Sequence, residues 1–250
     1  ACGEVGQGRM VEVPDLIAAI EERLGRTIKD LPLAGKKALV TSGPTREAID
    51  PVRYLSNHSS GKQGHAIAAA LAAAGAETTL VTGPTSEPDP LGVSVVNIES
   101  AREMLAACEA ALPCDIAICA AAVADWRIAE EAGSKMKKNG GSPPSLAMVE
   151  NPDILATLSQ ASKNRPALVV GFAAETNDLI DNATKKRARK QCDWIVANDV
   201  SSGTGTFGGD ENTVHLLTDE GVEDWPRSSK AAVASQLTAR IAAKLAGTDA

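Results

Sequence analysis

From Lys37 onward, short apolar runs alternate with alanine-rich or amphipathic stretches, and this alternation narrows the choice of fold more than any other feature. "KALVTSG" (Lys37–Gly43) reads as a buried strand, and "GHAIAAALAAAG" (Gly64–Gly75) as a helix stopped by glycine. "AETTLVTGP" and "VSVVNIES" read as two more strands, and "AREMLAACEAAL" as a helix. "CDIAICAAAVADW" (Cys114–Trp126) reads as a long apolar strand and its exit. "NPDILATLSQAS" reads as a helix with Asn151 as N-cap and Pro152 in its first turn. The strand "ALVVGFAAE", the helix "DLIDNATKKRARKQ" and the strand "DWIVAND" follow. "TVHLLT" reads as a late antiparallel strand, and "SKAAVASQLTARIAAKLAG" as a closing helix. This order predicts an α/β fold: a Rossmann-like, doubly wound, mainly parallel sheet with flanking helices. Aromatic residues make up only 2% of the 250, so Ala, Val, Leu and Ile must fill the core, which suits helices packed closely on a parallel sheet. In such sheets ligands bind at the carboxyl ends of strands, near the topological switch point.

Before this series, "ACGEVGQGRM" is glycine-rich without a strand or helix period, "VPDLIAAIEERLG" reads as a short amphipathic helix, and "IKDLPLAGKK" as a linker. Net charge is −7, a poor match to nucleic acid. No apolar run approaches the roughly 18 residues of a membrane helix, and no secretory leader is expected, so a cytoplasmic location is. The five cysteines (Cys2, Cys108, Cys114, Cys119, Cys192) form no C-x-x-C pair, which favours reduced thiols. His58, His65 and His215 are scattered without zinc-ligand spacing.

"SNHSSGKQG" (Ser56–Gly64) stands where the chain enters the first helix of the series. It is neither G-x-x-x-x-G-K-[ST] nor G-x-G-x-x-G. Roughly 20 residues separate the first strand from the helix, far beyond the usual βα connection, which marks a functional insertion. Glycines, hydroxyls and the open N–H groups of a helix start suit a phosphate chain; a flexible surface turn is the plain alternative. A dehydrogenase would want an acidic residue closing the second strand, which instead ends "TLVTGPT", and Tyr54 has no lysine four residues on. Other polar pieces also fall at strand ends. Asp125 after "AAAVA" can serve a metal or a substrate, or cap a helix. "GSKMKKNGG" sets Lys135, Lys137 and Lys138 between glycines, either as a solvated charge run or as a mobile lid for a polyphosphate. Phe172 in "GFAAET" can stack on a base or fill the core. Lys186 and Lys190 share a helical face that can meet ligand or solvent, and Asn198 closes a strand, where its amide can cap a turn or read a ligand.

Taken in order, "GPTREAIDPVRYLSNHSSGKQG", "AAAVADW", "KMKK", "NPDIL", "GFAAET" and "ANDV" resemble the bacterial phosphopantothenate–cysteine ligases, the synthetase half of a bifunctional coenzyme A biosynthesis protein. The resemblance covers about Leu33 to Gly247, a ligase domain over 33–247. Residues 1–32 resemble the tail of the flavin-dependent decarboxylase half, to which FMN would belong, and Cys2 the cysteine that serves it. The resemblance implies a two-step reaction. The carboxylate of 4′-phosphopantothenate attacks the α-phosphate of CTP, with Mg²⁺, to give an acyl-cytidylate and pyrophosphate. The amine of L-cysteine then displaces CMP. Gly43, Ser59, Gly61 and Gly64 would cradle the triphosphate. Asn57 would hold the acid and its cytidylate and assist their conversion, and Lys135 would act on the nucleotide phosphates. Ala121, Pro152, Asp153, Ile154, Leu155 and Phe172 would enclose the cytidine, with Lys186, Lys190 and Asn198 completing that pocket. Asp125 would sit where nucleotide and substrate meet, beside Ala122. Arg53 would reach the phosphopantothenate of a neighbouring subunit, which implies a homodimer. The resemblance names neither metal ligands nor cysteine-binding residues. The competing class is a non-catalytic nucleotide-binding and dimerisation module for the flavoprotein half, which would need no glycine-flanked lysine.

Overall fold

The computed structural model describes residues 13–24, 30–137, 145–201 and 209–247; Cys2 and Lys138 lie outside these. In chain order the elements are α1 (Val13–Leu24), β1 (Lys37–Ser42), β2 (Arg46–Asp50), β3 (Arg53–Ser56), α2 (Lys62–Ala73), β4 (Glu77–Thr82), β5 (Val93–Asn97) and α3 (Ala101–Ala110). There follow β6 (Ile116–Cys119), β7 (Trp126–Ile128), β8 (Met148–Glu150), α4 (Ile154–Ser159), β9 (Leu168–Glu175), α5 (Leu179–Lys190), β10 (Trp194–Asp199), β11 (Glu211–Leu217), β12 (Val222–Ser229) and α6 (Lys230–Ala246). Eight strands form one sheet in the order β12-β11-β10-β9-β6-β1-β4-β5. The strands from β10 to β5 all run parallel, and β11 and β12 complete the edge antiparallel.

The doubly wound arrangement follows from burial on both faces. In β1 every residue after Lys37 is buried. Successive side chains of a strand point to opposite faces, so Ala38 and Val40 enter one core and Leu39 the other. The first core joins the sheet to α2 and α6 through Ile67, Leu71, Leu237 and Ile241. The second joins it to α3, α4 and α5 through Met104, Cys108, Leu158 and Ala183. Both are mainly aliphatic, and the first also takes in Trp194 and Trp225. Cys108, Cys114, Cys119 and Cys192 are free thiols. Burial pushes the Cys108 thiol up to about 12 and the Cys114 thiol up to about 11, which disfavours both thiolates; Cys108 lies in the second core and Cys114 packs half-buried against it. Among the described residues no helix is long and apolar enough to cross a membrane.

Four local expectations need correction. The stretch read as an open insertion after β1 is largely a hairpin, β2 with β3, whose turn is closed by Asp50 accepting the N–H groups of Val52 and Arg53 at 2.9 Å. Asp-Pro at the corner is the turn signal that identifies it. The long strand expected over Cys114–Trp126 pairs only across Ile116–Cys119, because its exit turns away to zip onto the end of β1. The N-cap of α4 is Asp153, whose carboxylate accepts the Ala156 N–H at 3.0 Å, and Asn151 instead donates its amide to the Ala124 carbonyl at 2.8 Å. Finally, "VEDWPRSS" is a strand, β12, which its polar sequence hides. It lies at the sheet edge, where Pro226 interrupts no central ladder.

Leu237 on α6 is fully buried, whereas Leu91 is 95% exposed. Leu237→Ala is expected to lower stability by about 2–5 kcal/mol and Leu91→Ala by no more than about 0.5 kcal/mol. Urea unfolding of the two variants checks this, and similar midpoints would mean that α6 does not seal the first core.

Candidate functional site

After β1 the chain adds β4 and β5 on one side of it, then crosses to add β6, β9 and β10 on the other. The exits of β1 and β6 are therefore adjacent and diverge in opposite senses, which opens a crevice between them. Backbone bonds zip the two exits together: Ala122 N–H donates to Gly43 O at 2.9 Å and Thr45 N–H to Ala122 O at 3.2 Å. Two buried hydroxyls reinforce them, Thr41 Oγ1 accepting from Ala121 N–H and Thr45 Oγ1 from Ala124 N–H.

The loop "SNHSSGKQG" covers one side of this crevice. Gly61 is the N-cap of α2 with φ +80, and a Cβ there would meet Thr85 Oγ1 at 2.9 Å. The position is thus closed to other residues on both conformational and steric grounds. Ser42 donates to Gly61 O at 2.9 Å, Thr85 donates to Ser60 O at 2.6 Å, and His65 Nδ1 lies 3.0 Å from both Ser42 Oγ and Gly61 O. Gly64 lies so close to Ser42 that a Cβ would stand 3.1 Å from the Ser42 Cα. The loop is therefore held from beneath by buried polar groups. The start of α2 has no side-chain cap and no acidic residue in its first turn, so its positive end is not neutralised there.

The crevice holds two compartments, of about 430 and 630 Å³. Asn57, Ser59, Gly61, Gly64, Ala122 and Asn198 line the first. Asp125, Pro152, Asp153, Ile154, Leu155 and Lys190 line the second. Ala121, Val123, Phe172 and Lys186 form a wall common to both. Fifteen candidate residues thus gather in one place, while Gly43, Arg53 and Lys135 line neither compartment. Gly43 lies in the turn after β1, packed against the backbone of Gly83. Sequence reading missed Lys62, Gln63, Asn212 and Lys230 in the first compartment, and Trp126, Asn151 and Arg189 in the second. A lysine opening a helix, against the dipole, is the signal that could have found Lys62 and Lys230.

The charges are arranged by element. Lys190 on α5 pairs with Asp153, the cap of α4, and so ties the two helices that floor the second compartment. Burial alone would raise the Asp153 carboxyl, but the Lys190 ammonium and the Ala156 N–H hold it below the usual range. Burial lowers the Lys186 ammonium, which Glu175 partly offsets. Asn57 is fixed by donating its amide to Ala122 O at 3.0 Å. Outside the crevice, the Arg53 guanidinium is bound to Asp50 and donates to Met136 O at 3.0 Å, and Asp50 also accepts the Met136 N–H at 3.1 Å. The segment that carries the exposed Lys135 is therefore strapped to the β2–β3 hairpin of its own chain. Among the described residues no group of three His, Cys, Asp or Glu side chains could hold a metal ion.

Fold and crevice together define a doubly wound α/β protein with a two-part, lysine-lined crevice at its switch point. Residues 33–245 match the family described as the DNA/pantothenate metabolism flavoprotein C-terminal domain, and the chain belongs to that family. It is 46% identical over 243 residues to the coenzyme A biosynthesis bifunctional protein CoaBC of Vibrio vulnificus strain YJ016, covering 96% of this chain and 59% of that protein. It is 45% identical over 233 residues to the CoaBC protein of Escherichia coli K12, covering 92% of this chain and 56% of that one. The chain thus spans less than two thirds of the length of these relatives. The crystal structure of the C-terminal domain of a CoaBC protein superposes with a TM-score of 0.73 at 37% identity, covering 87% of this chain and 99% of that one.

The strap yields a pH expectation. The Arg53 guanidinium holds the Asp50 carboxyl well below the usual carboxylate range, and the N–H groups of Val52 and Met136 assist. A carboxyl held lower in the folded than in the unfolded chain contributes in full above its unfolded pKa of about 4, and loses that contribution as pH falls toward the folded value. Amide exchange at Met136 is therefore expected to stay protected at pH 4 and to rise only in stronger acid, whereas Asp50→Asn exposes it at neutral pH. Loss of protection at pH 4–5 in the unsubstituted chain would contradict the assignment.

Proposed function

We propose that this chain is the phosphopantothenate–cysteine ligase part of a bifunctional coenzyme A biosynthesis protein, and that it couples 4′-phosphopantothenate to L-cysteine at the expense of CTP. The observation that carries the reading is the two-part crevice. One part has a glycine-and-serine loop over an uncapped helix start, fit for phosphates. The other sets Phe172, Pro152, Ile154 and Leu155 among polar groups such as Asp153, Lys186 and Lys190, fit for a base and the charges attached to it. Membership of the family and the identity to CoaBC relatives support the same reading.

A carboxylate acylates poorly until one of its oxygens becomes part of a good leaving group. Transfer to the α-phosphate of CTP provides that group, and cations must balance the charge that grows on the phosphates. With no ready-made carboxylate cluster among the described residues, Mg²⁺ would travel with the triphosphate, held by phosphate oxygens and water as this ion prefers. Asn57, anchored on Ala122 at the junction of the β1 and β6 exits, would orient the reacting carboxylate and then its cytidylate. Lys135 would bring its charge to the phosphates; since it lines neither compartment here, it must approach when the ligands bind.

A pyrophosphate-release assay with CTP, phosphopantothenate and cysteine tests this. Release should require phosphopantothenate, and kcat/KM should favour CTP over ATP by about 10²-fold, since a site that pairs a base's polar edge rejects the wrong one strongly. Lys135→Ala should slow acyl-cytidylate formation by about 10²-fold, the scale of one transition-state charge partner. Asn57→Ala should let the acyl-cytidylate accumulate in the presence of cysteine, as read by mass. No release with any nucleotide would leave the non-catalytic module as the reading.

We also propose a homodimer. Val52, Tyr54, Trp126 and Met148, on the two small hairpins beside the crevice, are about half exposed and apolar, and Arg53 stands on the same hairpin as Val52. A symmetric pairing would cover this patch and bring Arg53 to the partner's crevice. Sedimentation should give twice the chain mass, falling to the single mass when Trp126 and Tyr54 are both changed to Glu. A monomer in the unsubstituted chain would refute the pairing.

A further inference from the structure

We propose that Lys62 and Lys230 form a subsite for the pyrophosphate end of the nucleoside triphosphate, the group that leaves when the α-phosphate is attacked. This rests on the nucleotide-dependent reading above and assigns residues to its departing half.

Each lysine is the first residue of its helix, Lys62 of α2 and Lys230 of α6. The positive end of a helix dipole disfavours a cation there. Two such ends nevertheless meet: Gln63 Nε2 donates to Lys230 O at 3.1 Å, and both lysines line the first compartment beside Ser59, Ser60 and Gly61. Lys230 is only 8% exposed, and burial together with the Lys62 charge lowers its pKa. Asp210 pairs with Lys62 at 2.6 Å through a carboxylate side chain that is 85% exposed, and both Asp210 and Glu87 act on Lys230 from a distance. Neither carboxylate lines the compartment.

An independent observation marks the same spot. Asn212 on β11 is 4% exposed and lines the first compartment, yet its Oδ1 has no hydrogen-bond partner among the described residues. The buried Gln63 Oε1 also lacks one. Buried amide oxygens are almost always paired, so two open ones lining one compartment point to a polar ligand there. A half-turn of an amide exchanges its O and N, so Asn212 can offer N–H donors to phosphate oxygens or its Oδ1 to a metal-bound water.

The chemistry needs such a place. A bond forms between the carboxylate oxygen and the α-phosphorus, and the bond from that phosphorus to the bridging oxygen breaks. The electron pair leaves on pyrophosphate, with no proton transferred. The leaving group thus gains charge as it departs, and two ammonium groups and a helix end stabilise that gain.

Calorimetric titration of the chain with inorganic pyrophosphate, CTP and CMP, each with Mg²⁺, tests the assignment. The unsubstituted chain is expected to bind all three. Lys62→Met and Lys230→Met should each weaken pyrophosphate and CTP by about 10-fold or more, the scale of a hydrogen bond to a charged group, and leave CMP unchanged. Lys230→Arg should retain most pyrophosphate binding, because the charge is kept. Unchanged pyrophosphate affinity in the methionine variants overturns the subsite while leaving the nucleotide reading intact. So does an equal loss of CMP, or a loss in Lys230→Arg as large as in Lys230→Met, since either marks damage to packing. Failure of the unsubstituted chain to bind both CTP and CMP overturns the nucleotide reading itself.

Discussion

Everything at the site depends on the seam between the exits of β1 and β6. The two strands diverge because the chain changes winding direction between them, and divergence alone would leave a ragged, solvated cleft. Thr41 and Thr45 prevent this. Their hydroxyls take up N–H groups of Ala121 and Ala124 that the separating strands can no longer satisfy, at 3.2 and 3.0 Å. Orphaned buried N–H groups are costly, so these bonds fix the path of residues 120–125. That path sets the carbonyl of Ala122 where Asn57 binds it, and the wall of Ala121 and Val123 that both compartments share.

The central sheet was legible because burial on both faces writes itself into sequence as short aliphatic runs separated by helix-period stretches. β1, β4, β9 and β10 carry this signal fully. The two hairpins and β12 do not. β2, β3, β7 and β8 are partly exposed and form small sheets of their own, so no continuous apolar run marks them. β12 is an edge strand whose polar face looks outward. Asn151 and Asp153 show the limit of local rules. Either can cap a helix, and the choice fell to the long-range tie of Asp153 to Lys190 and of Asn151 to Ala124, neither of which is visible within a window of a few residues.

The site divides along the same line. Residues that hold it through backbone shape, such as Gly61 and Gly64, and residues of long contiguous motifs, such as Pro152–Leu155, could be picked from the sequence. Asn212 and Lys230 could not. They reach the first compartment only because β11 turns antiparallel beside β10 and β12 then delivers the start of α6 next to α2, a consequence of topology rather than of motif. Conversely, Lys135 and Arg53, conspicuous in the sequence, stand outside the crevice and are bound into one strap through Asp50 and Met136. Lys135 is therefore not carried on an untied loop, because its neighbour Met136 is fastened to the hairpin.

Phe172 and Lys186 belong to both compartments. A partition owned by two chambers cannot be reshaped for one occupant alone. Settling these two side chains around one ligand would change the work left for a second, and thermodynamic reciprocity would make that effect equal in both directions. Coupling between the compartments would then pass through one aromatic ring and one ammonium rather than through the sheet on which both are mounted.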